Sequence, residues 1–354
     1  MQNTISSLFA AAVLAGALSA PGHADRVDDL IRNVMHKTHV PGLSMAIVQN
    51  GKVIRAQGYG FANLELKAPA TPETVYSLHS VSKQFCATGI MLLVRDGKVG
   101  LDDPVTEYFP GTSPAWDGIT VRHLLHHTSG IPDYLNDNLN LNLEPNAPDS
   151  AIPPAVARFP LKFKPGEKYA YSNTGYVMLA LIIHQVSGAP DPVLLADRVF
   201  KPLGMTATRN ANSMAVIPHR AARYVWNAGV FVNGAPPGDS AEISDGGVLS
   251  TVLDLAKWDI SLDTDKVLTA AERRQMWTPG TVTDPSGCKY GFGFFVDTYR
   301  GRPRIWHYGS SGVGQRAVIA QFPKDRLSVI LLVNGGEPVL TRLANQVADH
   351  YLKG

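Results

Sequence analysis

The sequence predicts an α/β protein of the α+β type: one mostly antiparallel sheet from both chain ends, flanked by helices, plus an inserted, mostly helical region. Strand-like patterns occur near the N-terminus and again over residues 285–354, and helical periodicity dominates between them. The 354 residues, 45% hydrophobic and 18% charged, suffice for a sizeable core. A net charge of +2 without a Lys/Arg block gives no reason to expect nucleic acid as a partner.

Residues 1–24 have the pattern of a secretory signal peptide. An apolar run from Leu8 to Leu18 is followed by small residues ending at Ala24. Residues 1–7 carry no Lys or Arg, so an uncleaved anchor is the alternative. No other stretch has the length and apolarity of a membrane span. We therefore expect a periplasmic or secreted protein with no stable membrane insertion after signal cleavage.

Residues 25–354 are predicted to form one domain, with a sheet subdomain (about 25–78 plus 285–354) and a mostly helical subdomain (about 79–284). A helix over 26–38 precedes two β-rich runs joined by Asn50-Gly51, a strong hairpin signal. Helical periodicity then runs from 78 to Gly97, the predicted stop.

The middle of the chain alternates helices with loops. A short helix is predicted in "TVRHLLHHTSGIPDY", followed by a Pro/Asn-rich surface loop over 132–154. A second helix begins near "YAYSNTGY", with Ser172 or Asn173 as its cap and Gly188 as its stop. A third follows the turn "SDGG". Four strands and a final helix are predicted in "KYGFGFFVDTY", "RPRIWHYG", "RAVIAQFP", "LSVILLVN" and "PVLTRLANQVADHYL". An active site is expected in the cleft between the two parts.

The cysteines and clustered histidines do not indicate a metal site. Cys86 and Cys288 are the only cysteines; one bridge between them is possible, but Cys86 has the pattern of a buried core thiol. His123, His126 and His127 lie close together with no Asp or Glu in a zinc-ligand motif beside them. We expect no metal and no other cofactor.

The stretch "SLHSVSKQF" places a lysine three residues after a serine. On a helix, Ser80 and Lys83 would share a face with Cβ atoms about 5 to 6 Å apart, a nucleophile beside a possible base. An ordinary helical serine with a solvated lysine is the alternative. Tyr171 and Asn173 lie where a loop enters a helix, and could supply a second proton-handling group and an amide.

The third element is His307-Tyr308-Gly309 on a strand, where the glycine would let a substrate approach the backbone closely. With "VPGLSMAIVQNGKV", "LLHHTSGIPDY", "KPGEKYAYSNTGY", "FKPLGM" and "GGVLSTVLDLAKW", these elements cover essentially the whole mature chain. The combination resembles the serine β-lactamase and penicillin-binding protein superfamily, specifically its class C-like branch of β-lactamases, D-alanyl-D-alanine peptidases, D-aminopeptidases and carboxylic esterases. The resemblance implies a β-lactamase-like fold.

The resemblance also assigns catalytic roles. Ser80 matches the acylated nucleophile, Lys83 its proton partner, Tyr171 the general base shared with Lys83, and Asn173 a residue that orients Lys83 and the substrate amide. Lowering the pKa of Tyr or Lys from about 10 to about 7 requires roughly 4 kcal/mol of differential interaction, and the two would titrate as a coupled pair. The implied reaction is acyl transfer in two steps, through an ester on Ser80.

The third motif sets the expected substrate. By the same matching, His307 and Gly309 bind substrate, and the backbone N–H groups of Ser80 and Ser310 form the oxyanion hole. β-Lactamases and D-alanyl-D-alanine peptidases usually have lysine where this chain has His307, so a cation for a substrate carboxylate is missing unless Arg316 supplies it.

We therefore expect a serine hydrolase that cleaves a small-molecule ester or amide or a D-amino peptide. The alternatives are a D-alanyl-D-alanine peptidase, a β-lactamase and, least favoured, a non-catalytic binding protein with this fold. The oligomeric state is not indicated.

Overall fold

The computed structural model describes residues 23–144, 147–212, 214–234, 246–282, 287, 289–310 and 314–352. Residues 1–22, nearly all of the predicted signal peptide, lie outside these ranges, as does Cys288, so signal cleavage and the Cys86–Cys288 bridge stay predictions. Among the described residues no single helix could span a bilayer by length and apolarity. One pair bent by 76°, Asn173–Ser187 with Asp191–Leu203, reaches that length and composition.

The helices of the described chain are numbered in chain order. They are α1 His23–Lys37, α2 Lys83–Arg95, α3 Val121–Leu125, α4 Ile152–Val156, α5 Asn173–Ser187, α6 Asp191–Leu195, α7 Lys201–Leu203, α8 Val252–Ser261, α9 Ala270–Trp277 and α10 Leu340–Ala348. A 3-10 turn, His79–Ser82, runs directly into α2.

The strands are numbered in the same way. They are β1 Gly42–Gln49, β2 Lys52–Asn63, β3 Ala68–Pro69, β4 Tyr76–Ser77, β5 Arg209–Asn210, β6 Tyr224–Asn227, β7 Val230–Asn233, β8 Val248–Ser250, β9 Lys289–Tyr290, β10 Phe295–Tyr299, β11 Arg302–Ser310, β12 Arg316–Phe322 and β13 Leu327–Val333.

The main sheet confirms the predicted fold class. Its order is β3-β2-β1-β13-β12-β11-β10-β9, so β1 from the start of the chain pairs with β13 from its end, and the pairs are antiparallel. All seven residues of β13 are buried. The reason is that α10 packs on β12 and β13, and α8 packs on β1 and β13. Covered central strands need no polar face, which explains why β13 is apolar at every position except Ser328.

Three local predictions were incomplete. The segment 289–299 was predicted as one strand, but β9 and β10 are separated at residues 291–294, where Gly293 has φ +79°. The hairpin β6–β7 and the strand β8 were missed, because β8 is three residues long and depends on pairing with β4 and β5. The predicted loop over 132–154 ends early, since α4 begins at Ile152.

One buried acid lies behind the sheet. Asp259 on α8 is 7% exposed, and its carboxylate accepts a hydrogen bond from Gln321 Nε2 over 2.7 Å. Burial raises the pKa of Asp259 to about 6, although hydrogen bonds from Ser328 and Gln321 act in the opposite direction. The folded protein therefore holds this proton at a pH where the unfolded chain has lost it, and stability falls as the pH rises from about 4 to about 6.

Asp259→Asn is expected to raise the free energy of unfolding by about 2 kcal/mol at pH 7.5 and by much less at pH 4, because the amide removes a buried negative charge. Urea unfolding at the two pH values measures the difference. The control is Asp197→Asn, an exposed carboxylate paired with Lys201, which should change stability little at either pH. If Asp259→Asn is no more stable than the wild type at pH 7.5, the raised pKa of Asp259 is contradicted.

Candidate active site

Ser80 lies on the 3-10 turn between β4 and α2. The turn is tied to β8, because the Leu78 N–H donates to the Val248 carbonyl over 2.9 Å and the Val248 N–H donates to Ser82 Oγ over 3.1 Å. A Cβ atom on Gly309 would lie 1.9 Å from the Leu78 carbonyl oxygen. Gly309 is therefore needed for β11 to pack against this turn, whereas the sequence had suggested close approach of a substrate.

Lys83 is the first residue of α2 and is 0% exposed. Its Nζ donates to Ser80 Oγ over 3.4 Å and to Asn173 Oδ1 over 2.8 Å. It also lies 5.0 Å from the ring centroid of Tyr171 and 5.4 Å from that of Tyr176. The serine and lysine predicted to be neighbours are thus brought together, on a 3-10 turn that continues as α2.

Tyr171 and Asn173 flank the N-cap of α5. Ser172 is that cap, since its Oγ accepts the N–H of Gly175 over 3.3 Å, and Gly188 ends the helix with φ +73°. The predicted boundaries of this helix are therefore confirmed. Because the cap residue is extended, the side chains of Tyr171 and Asn173 face the same cleft as Ser80.

His127 holds the backbone on both sides of Tyr171. Its carbonyl oxygen accepts the Ala170 N–H over 3.0 Å, and its Nδ1 accepts the Ser172 N–H over 3.1 Å. The His127 ring also packs 4.3 Å from the Tyr171 ring. Burial, and next the charge of Lys83, hold the pKa of His127 well below its usual value, so Nδ1 stays available as an acceptor. The sequence had indicated only that His127 does not belong to a zinc-ligand motif.

His307 uses both ring nitrogens within the protein. Nδ1 lies 2.7 Å from the Tyr308 carbonyl oxygen, which can only accept, so Nδ1 carries the proton and Nε2 accepts the hydroxyl of Tyr290 at 2.9 Å. Burial, and then the charge of Lys83, lower the pKa of His307 to about 3. The predicted substrate-binding residue thus lines the cleft as a neutral ring. Tyr290 was missed because it is 17 residues away on another strand.

The cleft has a volume of about 600 Å³. Its walls are formed by Ser80, Leu135, Asn136, Tyr171, Asn173, His307, Tyr308 and Ser310. In the described sheet, the pairing of β10 with β11 stops at Trp306, so the part of β11 from His307 onward presents an edge at the cleft. The structure therefore brings six predicted site residues together. Five line the cleft, namely Ser80, Tyr171, Asn173, His307 and Ser310, and Lys83 lies beneath Ser80.

Arg316 is the predicted site residue that faces elsewhere. It lines an adjoining cavity of about 270 Å³ that shares Tyr308 and Ser310 with the cleft. Arg316 lies opposite Ser310 in the β11–β12 register, and alternation along a strand puts it on the face opposite to His307. Burial lowers the pKa of its guanidinium, which still remains a cation.

The other two clustered histidines have local partners. His123 Nδ1 accepts the Thr120 N–H over 3.1 Å and so caps α3, and His126 Nδ1 lies 3.0 Å from the Tyr290 carbonyl oxygen. Over the described ranges, no group of three or more His, Cys, Asp or Glu side chains is arranged to hold a metal ion.

Comparison with known proteins identifies the family of this chain. The family model described as Beta-lactamase matches residues 27–352, and the chain belongs to this family of serine hydrolases. It is 30% identical to penicillin-binding protein 4* of Bacillus subtilis in an alignment of 339 positions that covers 86% of this chain and 72% of that protein.

Two solved structures are similar as well. One is an octameric penicillin-binding protein homologue from Pyrococcus abyssi, with a TM-score of 0.81 and 30% identity over 91% of this chain and 75% of that one. The other is D-amino acid amidase from Ochrobactrum anthropi SV3 complexed with L-phenylalanine, with a TM-score of 0.76 and 25% identity over 92% and 97% of the two chains.

His127→Ala is expected to slow labelling of Ser80 by a fluorophosphonate about a hundredfold, because Tyr171 loses a backbone support and misplacement by about 1 Å has an effect of that size. His127→Asn should stay within about tenfold of the wild type, since its amide oxygen can replace Nδ1 and asparagine tolerates the φ of +59° at this position. The exposed His184→Ala on α5 is the control. Equal labelling rates for His127→Ala and the wild type would contradict the role of His127 in positioning Tyr171.

Proposed function

We propose that this protein is an exported serine hydrolase that cleaves a small-molecule ester or amide through an acyl-enzyme on Ser80, with Lys83 and Tyr171 as the proton-transfer pair. The observation that carries the proposal is the chain of contacts at the base of the cleft. Lys83 Nζ reaches both Ser80 Oγ and Asn173 Oδ1, and it lies against the Tyr171 ring. The four side chains come from two separate segments of the chain, residues 80–83 and 171–173, which meet at the base of the cleft.

The chemistry follows from that arrangement. Ser80 Oγ attacks the substrate carbonyl carbon while its proton passes to the Lys83–Tyr171 pair. The oxygen that becomes negative is stabilised by the backbone N–H groups of Ser80 and Ser310. The pair then returns the proton to the departing alcohol or amine. Water attacks the ester in the same way, which releases the acid and restores Ser80.

The uncharged His307 ring on the β11 wall favours substrates that place no carboxylate against this strand. His307 is neutral, and Tyr290 and Tyr308 occupy its two nitrogens. Arg316 lines the adjoining cavity instead of the cleft. The exposed side chains of Leu135 and Tyr308 give the cleft apolar surface, which suits a short acyl or aromatic group.

An amide of a D-amino acid is the second candidate substrate, supported by the similarity to the D-amino acid amidase from Ochrobactrum anthropi SV3. D-Alanyl-D-alanine peptides and β-lactams are weaker candidates because they carry a carboxylate, and no lysine is among the described residues that line the cleft. A non-catalytic binding role is disfavoured by the assembled side chains.

The proposed location is the periplasm or the extracellular medium, on the basis of the leader pattern in residues 1–24. N-terminal sequencing of the protein recovered from a periplasmic or culture fraction tests it. A mature N-terminus near residue 25 supports export with cleavage, and an intact Met1 in the cytoplasmic fraction contradicts it.

The mature protein is expected to hydrolyse a short-chain nitrophenyl ester and D-phenylalanine amide faster than a chromogenic cephalosporin. Ser80→Ala should lower kcat/KM for the ester by at least about a thousandfold, because the covalent intermediate cannot form. Steady-state kinetics on the three substrates provide the comparison. Unchanged turnover in Ser80→Ala would disprove the mechanism, and rapid cephalosporin turnover would disprove the substrate assignment.

A further inference from the structure

A buried carboxylate lies directly behind Asn173. Asp133 is 2% exposed and follows the Thr128-Ser129-Gly130 turn. Its carboxylate oxygens accept hydrogen bonds from Asn173 Nδ2 over 3.0 and 3.3 Å, from Asn136 Nδ2 over 2.7 Å and from the Leu135 N–H over 3.0 Å. Three donors from two separate chain segments therefore converge on this one side chain.

Asn173 connects Asp133 to Lys83. Its Oδ1 accepts from Lys83 Nζ over 2.8 Å, and its Nδ2 donates to Asp133. A carboxylate can only accept and an ammonium can only donate, so a single orientation of the amide satisfies both contacts. Turning the amide over would direct its NH2 group at Lys83 and its oxygen at the carboxylate.

The groups around this chain are mostly neutral. Lys83 is faced by Ser80 and Asn173, by the rings of Tyr171 and Tyr176, and by the imidazoles of His79, His127 and His307. Asp133 is faced by its three donors and by Asp137, whose Oδ2 accepts the Asp133 N–H over 2.8 Å and whose carboxylate binds Lys162.

We propose that Asp133 is a positioning residue for the reaction at Ser80. It fixes the Asn173 amide with its oxygen toward Lys83, and its negative charge favours the charged form of Lys83 across that amide. This inference rests on the proposed function, in which Lys83 and Tyr171 exchange the proton of Ser80. Asp133 also holds Asn136, whose side chain lines the cleft.

Replacing the carboxylate by an amide separates these effects from simple packing. Asp133→Asn keeps the shape but offers one acceptor oxygen to three donors, so Asn173 is no longer held in one orientation. Loss of the charge makes the protonated Lys83 less favourable. The ionisation of the Lys83–Tyr171 pair should therefore move to lower pH by about one unit, the lower end of the effect of a nearby opposite charge.

The first measurement is the pH dependence of ester hydrolysis between pH 5 and 10. For Asp133→Asn we expect the apparent pKa of the Lys83–Tyr171 pair, read from the pH–rate profile, to fall by about one unit. We also expect kcat to fall about tenfold with KM little changed. Asp133→Glu keeps the charge and should keep the wild-type midpoint even if kcat falls. Asp137→Asn removes a carboxylate from the same loop and should leave the midpoint unchanged.

The second measurement does not depend on turnover. In protein labelled with [ε-13C]lysine, the Lys83 signal is assigned from Lys83→Arg and titrated by NMR. A lower midpoint in Asp133→Asn supports the inference. The inference is overturned if Asp133→Asn folds and neither the apparent pKa from the pH–rate profile nor the Lys83 midpoint moves. If the wild type hydrolyses no ester or amide but the Lys83 midpoint still falls, the proposed function fails while the coupling to Asp133 stands.

Discussion

Burial of the Lys83 amine is the constraint on which the arrangement of the site depends. The side chain is completely enclosed, and a buried polar group is stable only if it is hydrogen-bonded. Two of its partners are Ser80, one turn earlier, and Asn173, 90 residues later. The N-terminal ends of α2 and α5 must therefore meet, and β11 must pass close enough to close the cleft. Gly309 permits that approach because any larger residue would collide with the Leu78 carbonyl.

The histidines near Lys83 act as fixed hydrogen-bonding groups. Burial lowers the pKa of both His127 and His307, and the charge of Lys83 adds to the effect. A second proton near the ammonium would be unfavourable, so each ring stays neutral and keeps one bare nitrogen. His127 uses its bare Nδ1 to hold the backbone at Ser172, and His307 uses its bare Nε2 to accept from Tyr290. Neutral rings thus support the reacting groups without adding charge to the cleft.

Local patterns in the sequence predicted the parts of the site that local structure determines. The spacing of Ser80 and Lys83 spans one turn, and the boundaries of α5 follow from Ser172 and Gly188 within the segment itself. The partner of His307 could not be predicted, because Tyr290 reaches it only through the pairing of β9, β10 and β11.

The same reasoning applies to Arg316, whose predicted role changed, and to Asp133, which was not predicted. Arg316 was predicted to act beside His307 as a cation for the substrate. Its position opposite Ser310, on the face of the sheet away from His307, is set only when β11 and β12 pair. The sequence indicates no role for Asp133, because its contact with Asn173, 40 positions later, depends on the packing of α5. The antiparallel sheet was predictable because continuous apolar runs at both chain ends have few other ways to be covered.

The most direct test of the account is the rate at which a fluorophosphonate modifies Ser80 in the wild type and in Lys83→Met, which replaces the amine by an apolar group of similar length. Mass spectrometry of the digested protein locates the adduct, and circular dichroism checks the fold. Activation of Ser80 by the Lys83 amine predicts one adduct on the peptide that contains Ser80, formed at least about a hundredfold more slowly in Lys83→Met. Equal rates in the two proteins, or an adduct elsewhere, would contradict activation of Ser80 by the buried amine.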